Sequence, residues 1–203
     1  MSKSKRRGSL KRATRSILPA EKHIGVLLEL IGPPTQEAQY DRMAAIVGAT
    51  FLEYGLRKCI KYHLKPDPVD TDYNYLFSQD DAPYRDFASL NRLARALGII
   101  SVRDYEQLET IRHIRNVFAH GMDNSLSFDS PDISDAIDFL VKIDAEWFKS
   151  ITSIFTDKDV MQSLIGRRGI FMMAIFSCYW DLLLYHPGDR ILVSQLGENL
   201  RGP

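Results

Sequence analysis

The side chains with the clearest chemical potential in this chain lie close together, on the segment from Leu108 to His120. Arg115, Asn116 and His120 stand there within two helical turns of one another. An arginine can bind a phosphate, a histidine can act as general acid or base in phosphodiester cleavage, and an asparagine can orient either group. Asn116 and His120 are four residues apart and face the same side of a helix. The spacing could therefore build a compact phosphate-cleaving site.

The same residues also fit a structural interpretation. The residue types alone favour this structural role over catalysis. His120 precedes Gly121, where a helix is expected to end, and a histidine there can satisfy or complement the last carbonyl groups. Arg115 could extend along the protein and place its charge in water. Both interpretations stay open at this point.

A helical wheel of residues 108–120 places one charged side chain among apolar ones. The apolar sector holds Leu108, Ile111, Ile114, Phe118 and Ala119. Arg115 falls inside this sector and needs a partner, because an unpaired buried charge is very costly. Glu53 lies in a similar apolar sector of the preceding long helix. We expect Glu53 and Arg115 to pair and to hold the two helices in register. Beside the apolar sector runs a polar strip formed by Glu109, Arg112, His113, Asn116 and His120.

Helix start and stop signals predict the elements that position these residues. Predicted helices cover about 19–31, 35–64, 84–97 and 101–120, a fifth opens at 130, and a last segment opens near 156. Ser101 and Asp104 resemble a capping box, Gly98 favours a left-handed helix end, and Pro131 suits a first helical turn. Because no strand pattern or internal repeat is present, the sequence predicts an all-α bundle of about five to six helices.

The chain of 203 residues suits one domain. We expect a disordered basic arm over 1–16, a single helical domain over 17–190 and a tail over 191–203. The domain would end in an apolar helical extension over about 156–186. Its most apolar run, Gly169 to Trp180, is about 12 residues long, whereas a membrane span needs about 20, so we expect a core helix or a self-association surface there. The loop over 66–83 is rich in Asp and Pro and is either a solvated surface loop or a functional one.

Charge is distributed unevenly although the formal net charge is zero. The first 20 residues hold seven of the 26 basic residues and no acid, so the remaining chain carries about seven negative charges. Such an arm could bind nucleic-acid phosphate without regard to sequence, or be a solvated tail. The residues that would make this contact are Lys5, Arg6, Arg7, Lys11 and Arg12.

Several function classes lack support in the sequence. Cys59 and Cys178 have no zinc-type spacing and suit two buried thiols in a reducing compartment. No metal site, no cofactor loop and no convincing DNA-recognition helix is predicted. The basic start is not followed by the long apolar run of a secretory signal, so we expect a cytoplasmic protein without a membrane segment.

One block of sequence resembles the mannitol operon repressor (MltR) family. Its most specific part is Arg115-Asn116-x-Phe118-Ala119-His120, followed by Ser127-Phe128. The stretch from Asp41 to Val47 and the residues Leu52-Glu53 agree in order and spacing, so the resemblance covers about residues 24–142. It implies a helical protein of transcriptional regulation that acts through protein partners rather than by reading DNA. The basic arm and the extension after about Val160 depart from that family's pattern.

The Arg-x4-His block is also similar to that of the HEPN superfamily, whose small helical bundles are often dimeric and include metal-independent ribonucleases. This resemblance implies functional positions at Arg115, Asn116 and His120, with Glu53 as a polar neighbour. We therefore expect a regulatory interaction protein that binds protein partners and self-associates through its apolar C-terminal segment. The alternative is a HEPN-like ribonuclease of toxin or defence type. A non-enzymatic role is favoured, but the residues leave catalysis open.

Overall fold

The computed structural model describes residues 38–64, 75–77, 81–121, 125–154 and 166–185. Within these ranges it contains helices and no strand, which confirms the predicted all-α bundle. The helices of ten or more residues are α1 (Ala38–Leu64), α2 (Phe87–Ala96), α3 (Val102–His120), α4 (Pro131–Ile143), α5 (Ala145–Ile154) and α6 (Arg167–Tyr185). Several predicted segments lie outside the described residues. They are the basic arm over 1–16, the first helix over about 19–31, the helix start near 156, the tail over 191–203 and most of the loop over 66–83.

Local sequence signals explain where the helices begin and end. Ser101 Oγ accepts a hydrogen bond from the Asp104 backbone N–H at 3.2 Å, and the Asp104 carboxylate accepts one from the Ser101 N–H at 2.9 Å. This is the predicted capping box. Gly98, with φ of 70°, ends α2 in the left-handed region that glycine adopts without strain. Asp86, rather than the predicted residue 84, begins α2, because its carboxylate accepts from the Ser89 N–H at 3.0 Å.

The start of α4 differs in detail from its prediction. Pro131 occupies the first turn as expected, but the Ser130 side chain caps no N–H group of the helix. Its hydroxyl accepts instead from the Ser127 N–H at 3.1 Å and shapes the preceding turn. After α4 the backbone bends at Asp144, so the single predicted helix is two helices, α4 and α5.

Helix α6 lies in the centre of the core, where it packs along α1. Gly48 and Gly55 allow this approach, because a Cβ at Gly48 would lie 3.2 Å from Ile175 Cγ1 and one at Gly55 would lie 3.1 Å from Leu182 Cδ1. The buried residues of α6 are Phe171, Met172, Met173, Ala174, Ile175, Ser177, Cys178, Tyr179 and Leu182. The predicted core role of this segment is therefore confirmed. Most of its described apolar side chains are covered within the chain, whereas Ile170, Phe176 and Trp180 are half-buried, so self-association through this segment stays a prediction.

The described helices also test the expectations about membranes and thiols. None of them combines the length and the apolar composition that crossing a bilayer requires. Cys59 and Cys178 are both free and buried, as predicted. Burial raises the pKa of the Cys178 thiol well above 9.0, so this thiol is protonated and unreactive in the folded protein.

Candidate functional site

Helix α3 presents the predicted polar strip on its outer side and buries the opposite face. Leu108, Ile111, Ile114 and Phe118 are buried, which confirms the predicted apolar sector in its main part. Ala119 was placed in that sector and is exposed, so this assignment is wrong. The buried side of α3 is centred nearer Phe118 than the helical wheel indicated. Ala119 lies at the edge of the predicted apolar sector, and this edge is exposed to water.

The strip itself contains both exposed and half-buried side chains. His113 and His120 are exposed, whereas Glu109, Arg112 and Asn116 are half-buried. His120 is the last residue of α3, and the Gly121 N–H after it bonds to the Val117 carbonyl at 2.8 Å. The strip therefore offers exposed polar side chains that a ligand or a partner can reach.

Arg115 lies at the edge between the buried face and the strip. Its Nη1 donates to the Asn116 side-chain oxygen at 3.0 Å, and the side chain is half-buried. One hydrogen bond uses a single donor of the five that a guanidinium carries. Arg115 is thus half-buried, and its other N–H groups can donate to a hydrogen-bond acceptor of a ligand or a partner.

Glu53 has a direct partner other than the predicted one. Its carboxylate lies 3.4 Å from Arg57 Nη2, one turn along α1. Burial raises the pKa of Glu53, and the positive charges of Arg57 and Arg115 partly oppose that effect. The expected ion pair between Glu53 and Arg115 is therefore not a direct contact. Arg115 acts on Glu53 as a nearby charge, because Arg57, on the same helix, reaches the carboxylate first.

Arg57 ties α1 to the segment that precedes α2. Its guanidinium donates to the Phe77 carbonyl at 2.6 Å and to the Arg85 carbonyl at 2.8 Å. Arg57 was not predicted from the sequence, because its partners are backbone carbonyl groups and no pattern of side-chain types reveals those.

A buried network holds the N-terminal half of the strip. Arg112 donates to Glu109 through Nε at 3.0 Å and Nη2 at 2.8 Å, while Asn91 Nδ2 donates to the other Glu109 oxygen at 2.8 Å. Burial raises the pKa of Glu109, but the hydrogen bonds from Arg112 and Asn91 outweigh it and bring the pKa below 4.5. Asn91, fully buried on α2, was missed. Its polar side chain on the apolar face of a short helix was the available signal.

An open groove lies between α3 and α4 beside this network. It encloses about 420 Å³. Its lining residues are Glu109, Thr110, Arg112, His113, Ala136 and Phe139. Phe139 is 40% exposed and is the one phenylalanine among the exposed large hydrophobic side chains of the described residues. We call this surface the α3–α4 groove.

Two consecutive residues of α1 hold both ends of the loop that follows His120. Arg42 Nη2 donates to the Gly121 carbonyl at 2.9 Å. Asp41, which is buried, accepts from the Phe128 N–H at 3.0 Å and from Arg168 Nε at 2.6 Å. These contacts fix the C-terminal end of α3 against α1 and α6. The adjacent charges of Asp41 and Arg42, directly before the apolar run from Met43 to Val47, were the sequence signal for them.

A second charged cluster lies at the other end of α3. Arg103 approaches Asp104 at 3.2 Å, Asp144 at 3.5 Å and Asp181 at 3.7 Å. Ser177 Oγ also donates to the buried Asp144 at 2.7 Å. Burial and the repulsion of Asp104 raise the pKa of Asp181. The cluster links three parts of the fold, namely α3, the bend at Asp144 and helix α6. Arg103 is half exposed, whereas Asp144 is buried.

The other predicted contacts concern metals and nucleic acid. Within the described ranges, no three His, Cys, Asp or Glu side chains cluster so that they could hold a metal ion. Lys5, Arg6, Arg7, Lys11 and Arg12 lie outside the described residues. Comparisons with family models, with curated proteins and with solved structures gave no match.

Proposed function

We propose that this chain is a regulatory interaction protein of the mannitol-repressor type, which acts in transcription through protein partners. The observation that carries the proposal is the α3–α4 groove with its exposed Phe139. Under this proposal, the polar strip of α3 and the exposed edge of α4 together form the surface that a partner covers.

The composition of the groove supports a protein partner. Protein interfaces are enriched in aromatic side chains and arginine, and exposed aromatic anchors often supply much of the binding energy. Phe139 is the aromatic anchor here, and Arg112 and His113 form a polar rim beside it. Glu109 fixes the Arg112 guanidinium through two hydrogen bonds, so little side-chain entropy is lost when a partner binds.

The packing of α3 argues against direct reading of DNA bases by this helix. A recognition helix must enter the major groove, so it needs a broad exposed face. Helix α3 instead contacts α1, α2, α4 and α6, which leaves its exposed residues on one side of the helix and at its two ends. The polar strip suits a flat contact with another protein better than insertion into a groove.

Site-specific photo-crosslinking in cells that express the protein tests the proposal. A photo-reactive phenylalanine analogue in place of His113 is expected to give one dominant protein adduct. Phe139→Ser should reduce that adduct by about tenfold, because truncation of an aromatic anchor costs about 1–2 kcal/mol or more.

The matched control places the same analogue at Lys149, an exposed position on α5. We expect no dominant adduct there. Equal labelling from both positions, or an adduct from His113 that Phe139→Ser leaves unchanged, would show that the α3–α4 groove is not the partner surface.

A metal-independent ribonuclease is the second candidate, and one observation favours it. Asn116 holds Arg115 at 3.0 Å and shares the open strip with the exposed His120. However, Arg115 and His120 are five residues apart and point about 140° away from each other around the helix. Under this second candidate, a second copy of the chain would complete the site by bringing its own arginine or histidine opposite.

A further inference from the structure

The α3 wall of the α3–α4 groove holds more positive than negative charge around Glu109. Burial raises the pKa of this carboxyl group, but hydrogen bonds from Arg112 and Asn91 lower it, and so do the charges of Arg112 and Arg92. Arg92 is exposed on α2, and Arg112 lines the groove. Two arginines therefore surround one carboxylate, which neutralises only one of them. The wall keeps positive charge for an anionic group of a partner.

Arg112 is held in place and still has a donor to offer. Its Nε and Nη2 donate to Glu109 at 3.0 Å and 2.8 Å. Among the described residues, its Nη1 group has no hydrogen-bond acceptor. The side chain is 30% exposed, so a partner can reach it. An arginine fixed in this way can bind a carboxylate through a charge-assisted hydrogen bond with little loss of side-chain freedom.

The α4 wall of the groove offers apolar surface instead. Ala136 is half-buried and Phe139 is exposed, and both line the groove. They are three residues apart, so they are neighbours on the surface of the helix. An apolar side chain of a partner can pack against them and remove the Phe139 ring from water. A segment that fills the groove therefore needs an apolar group for this wall and an anionic group for the other.

The charges beside Phe139 favour a peptide over a nucleic acid as the source of the anionic group. Asp135 lies one helical turn before Phe139, and Asp132 lies three residues before Asp135; both carboxylates are exposed. A nucleic acid carries a dense row of negative charge, so it would meet these two carboxylates while it approached Arg112. A peptide with a single carboxylate near an apolar side chain reaches Arg112 without that repulsion.

We propose that the α3–α4 groove binds a peptide segment whose apolar side chain packs on Phe139 and whose carboxylate binds Arg112. This inference rests on the proposed function, because it specifies the chemistry of the partner for the same surface. The apolar contact supplies most of the affinity, as aromatic anchors do in protein interfaces. The charged contact fixes the register of the segment and rejects partners without an acid at that place.

Selection from a phage-displayed library of random peptides tests the proposal, with the purified full chain as the immobilised target. Peptides that also bind the Phe139→Ser variant are removed before each round. The remaining peptides should share an apolar residue with an Asp or Glu within about one helical turn of it. Peptides that depend on Phe139 but show no enrichment of Asp or Glu would overturn the proposal.

A double-mutant cycle on one enriched peptide then locates its carboxylate. Fluorescence anisotropy measures the dissociation constant of the labelled peptide. Changing the peptide's acid to the matching amide should weaken binding to wild type about fivefold and leave binding to Arg112→Gln nearly unchanged, because both changes remove one contact. Equal losses in the two proteins would contradict that contact. Lys149→Gln, which also removes one exposed positive charge, is the matched control and should behave as wild type.

The outcomes separate failure of this inference from failure of the proposed function. Peptides that depend on Phe139 and lack an acid leave the groove a protein-binding surface and overturn only the inference. A library that yields no peptide dependent on Phe139 overturns both, as does a synthetic RNA oligonucleotide whose binding Arg112→Gln weakens. A dimer in size-exclusion chromatography that Phe139→Ser dissociates would assign the groove to a second copy and also overturn the inference.

Discussion

Two carboxylates on α1 illustrate how pairing decides the role of a buried acid. Asp41 is buried, yet two short hydrogen bonds, from Arg168 and the Phe128 backbone, compensate its charge. Glu53 is half-buried, and among the described residues its ion pair is the 3.4 Å contact with Arg57. Desolvation dominates at Glu53 and raises its pKa. The two residues should respond differently to substitution.

The substitution Glu53→Gln is expected to flatten the pH dependence of the unfolding free energy. The folded-state pKa of Glu53 is raised above 4.5, so the folded protein binds this proton more tightly than the unfolded chain does. The resulting stability is fully present below about pH 4.5 and is lost as the pH rises through the raised pKa. Urea denaturation from pH 4 to pH 7 measures the slope. Glu146→Gln, at an exposed position, should keep the wild-type slope, and an unchanged slope in Glu53→Gln would contradict this interpretation.

The substitution Asp86→Ala should destabilise the protein by about 1 kcal/mol at pH 7, the usual loss for a helix N-cap. The hydrogen bond from the Ser89 N–H lowers the pKa of Asp86 more than burial raises it. The contribution of Asp86 is therefore lost as the pH falls through its folded-state pKa. The difference from wild type in thermal unfolding should be smaller at pH 3 than at pH 7. The exposed Asp81→Ala serves as the control, and an equal loss there would exclude the capping role.

At the level of elements, the first turn of α1 joins three parts of the fold. Asp41 binds α6 through Arg168 and the turn before α4 through Phe128, while Arg42 binds the end of α3 at Gly121. Charge-assisted hydrogen bonds of this kind are stronger than neutral ones. The position of His120 therefore depends on a contact made by a helix far away in sequence.

The substitution Asp41→Ala is expected to destabilise the protein by about 3 kcal/mol, because it leaves the half-buried Arg168 and the buried Phe128 backbone N–H without this acceptor. Chemical denaturation at pH 7 measures the change. Asp135→Ala, on the exposed edge of α4, should change stability by less than about 0.5 kcal/mol. A comparable loss in both variants would show that the Asp41 contacts do not hold these elements together.

Contacts between residues close in sequence could be predicted, whereas contacts between residues far apart in sequence could not. The capping box at Ser101 and the helix end at Gly98 involve residues within one turn, so local spacing was enough to place them. Arg168 and Asp41 are 127 residues apart, and no local pattern connects them. Glu53 was matched to the wrong arginine because the wheel of each helix gives the direction of a side chain but not its distance from the neighbouring helix. Ala119 was misplaced for the same reason, since a wheel does not give the edge of the covered sector.

Across the whole molecule, the apolar side chains of α6 and the exposed apolar side chains have different places. Helix α6 packs most of its aromatic and sulphur-containing side chains into the core against α1. Exposed large hydrophobic side chains lie on α1, for example Met43, as well as at Phe139 on α4. Under the proposed function, the surface that a partner covers is the α3–α4 groove, where Phe139 lies beside the polar strip.

Cleavage of RNA by the purified protein in excess EDTA separates a binding surface from a nuclease most directly. We predict no cleavage above the buffer control for wild type, Arg115→Ala or His120→Ala, because under the proposed function the exposed strip of α3 binds a protein partner and cleaves no phosphodiester. The contradicting result is cleavage by wild type that both substitutions abolish while thermal unfolding shows both variants folded. That result would make the protein a metal-independent ribonuclease whose site is completed by a second copy.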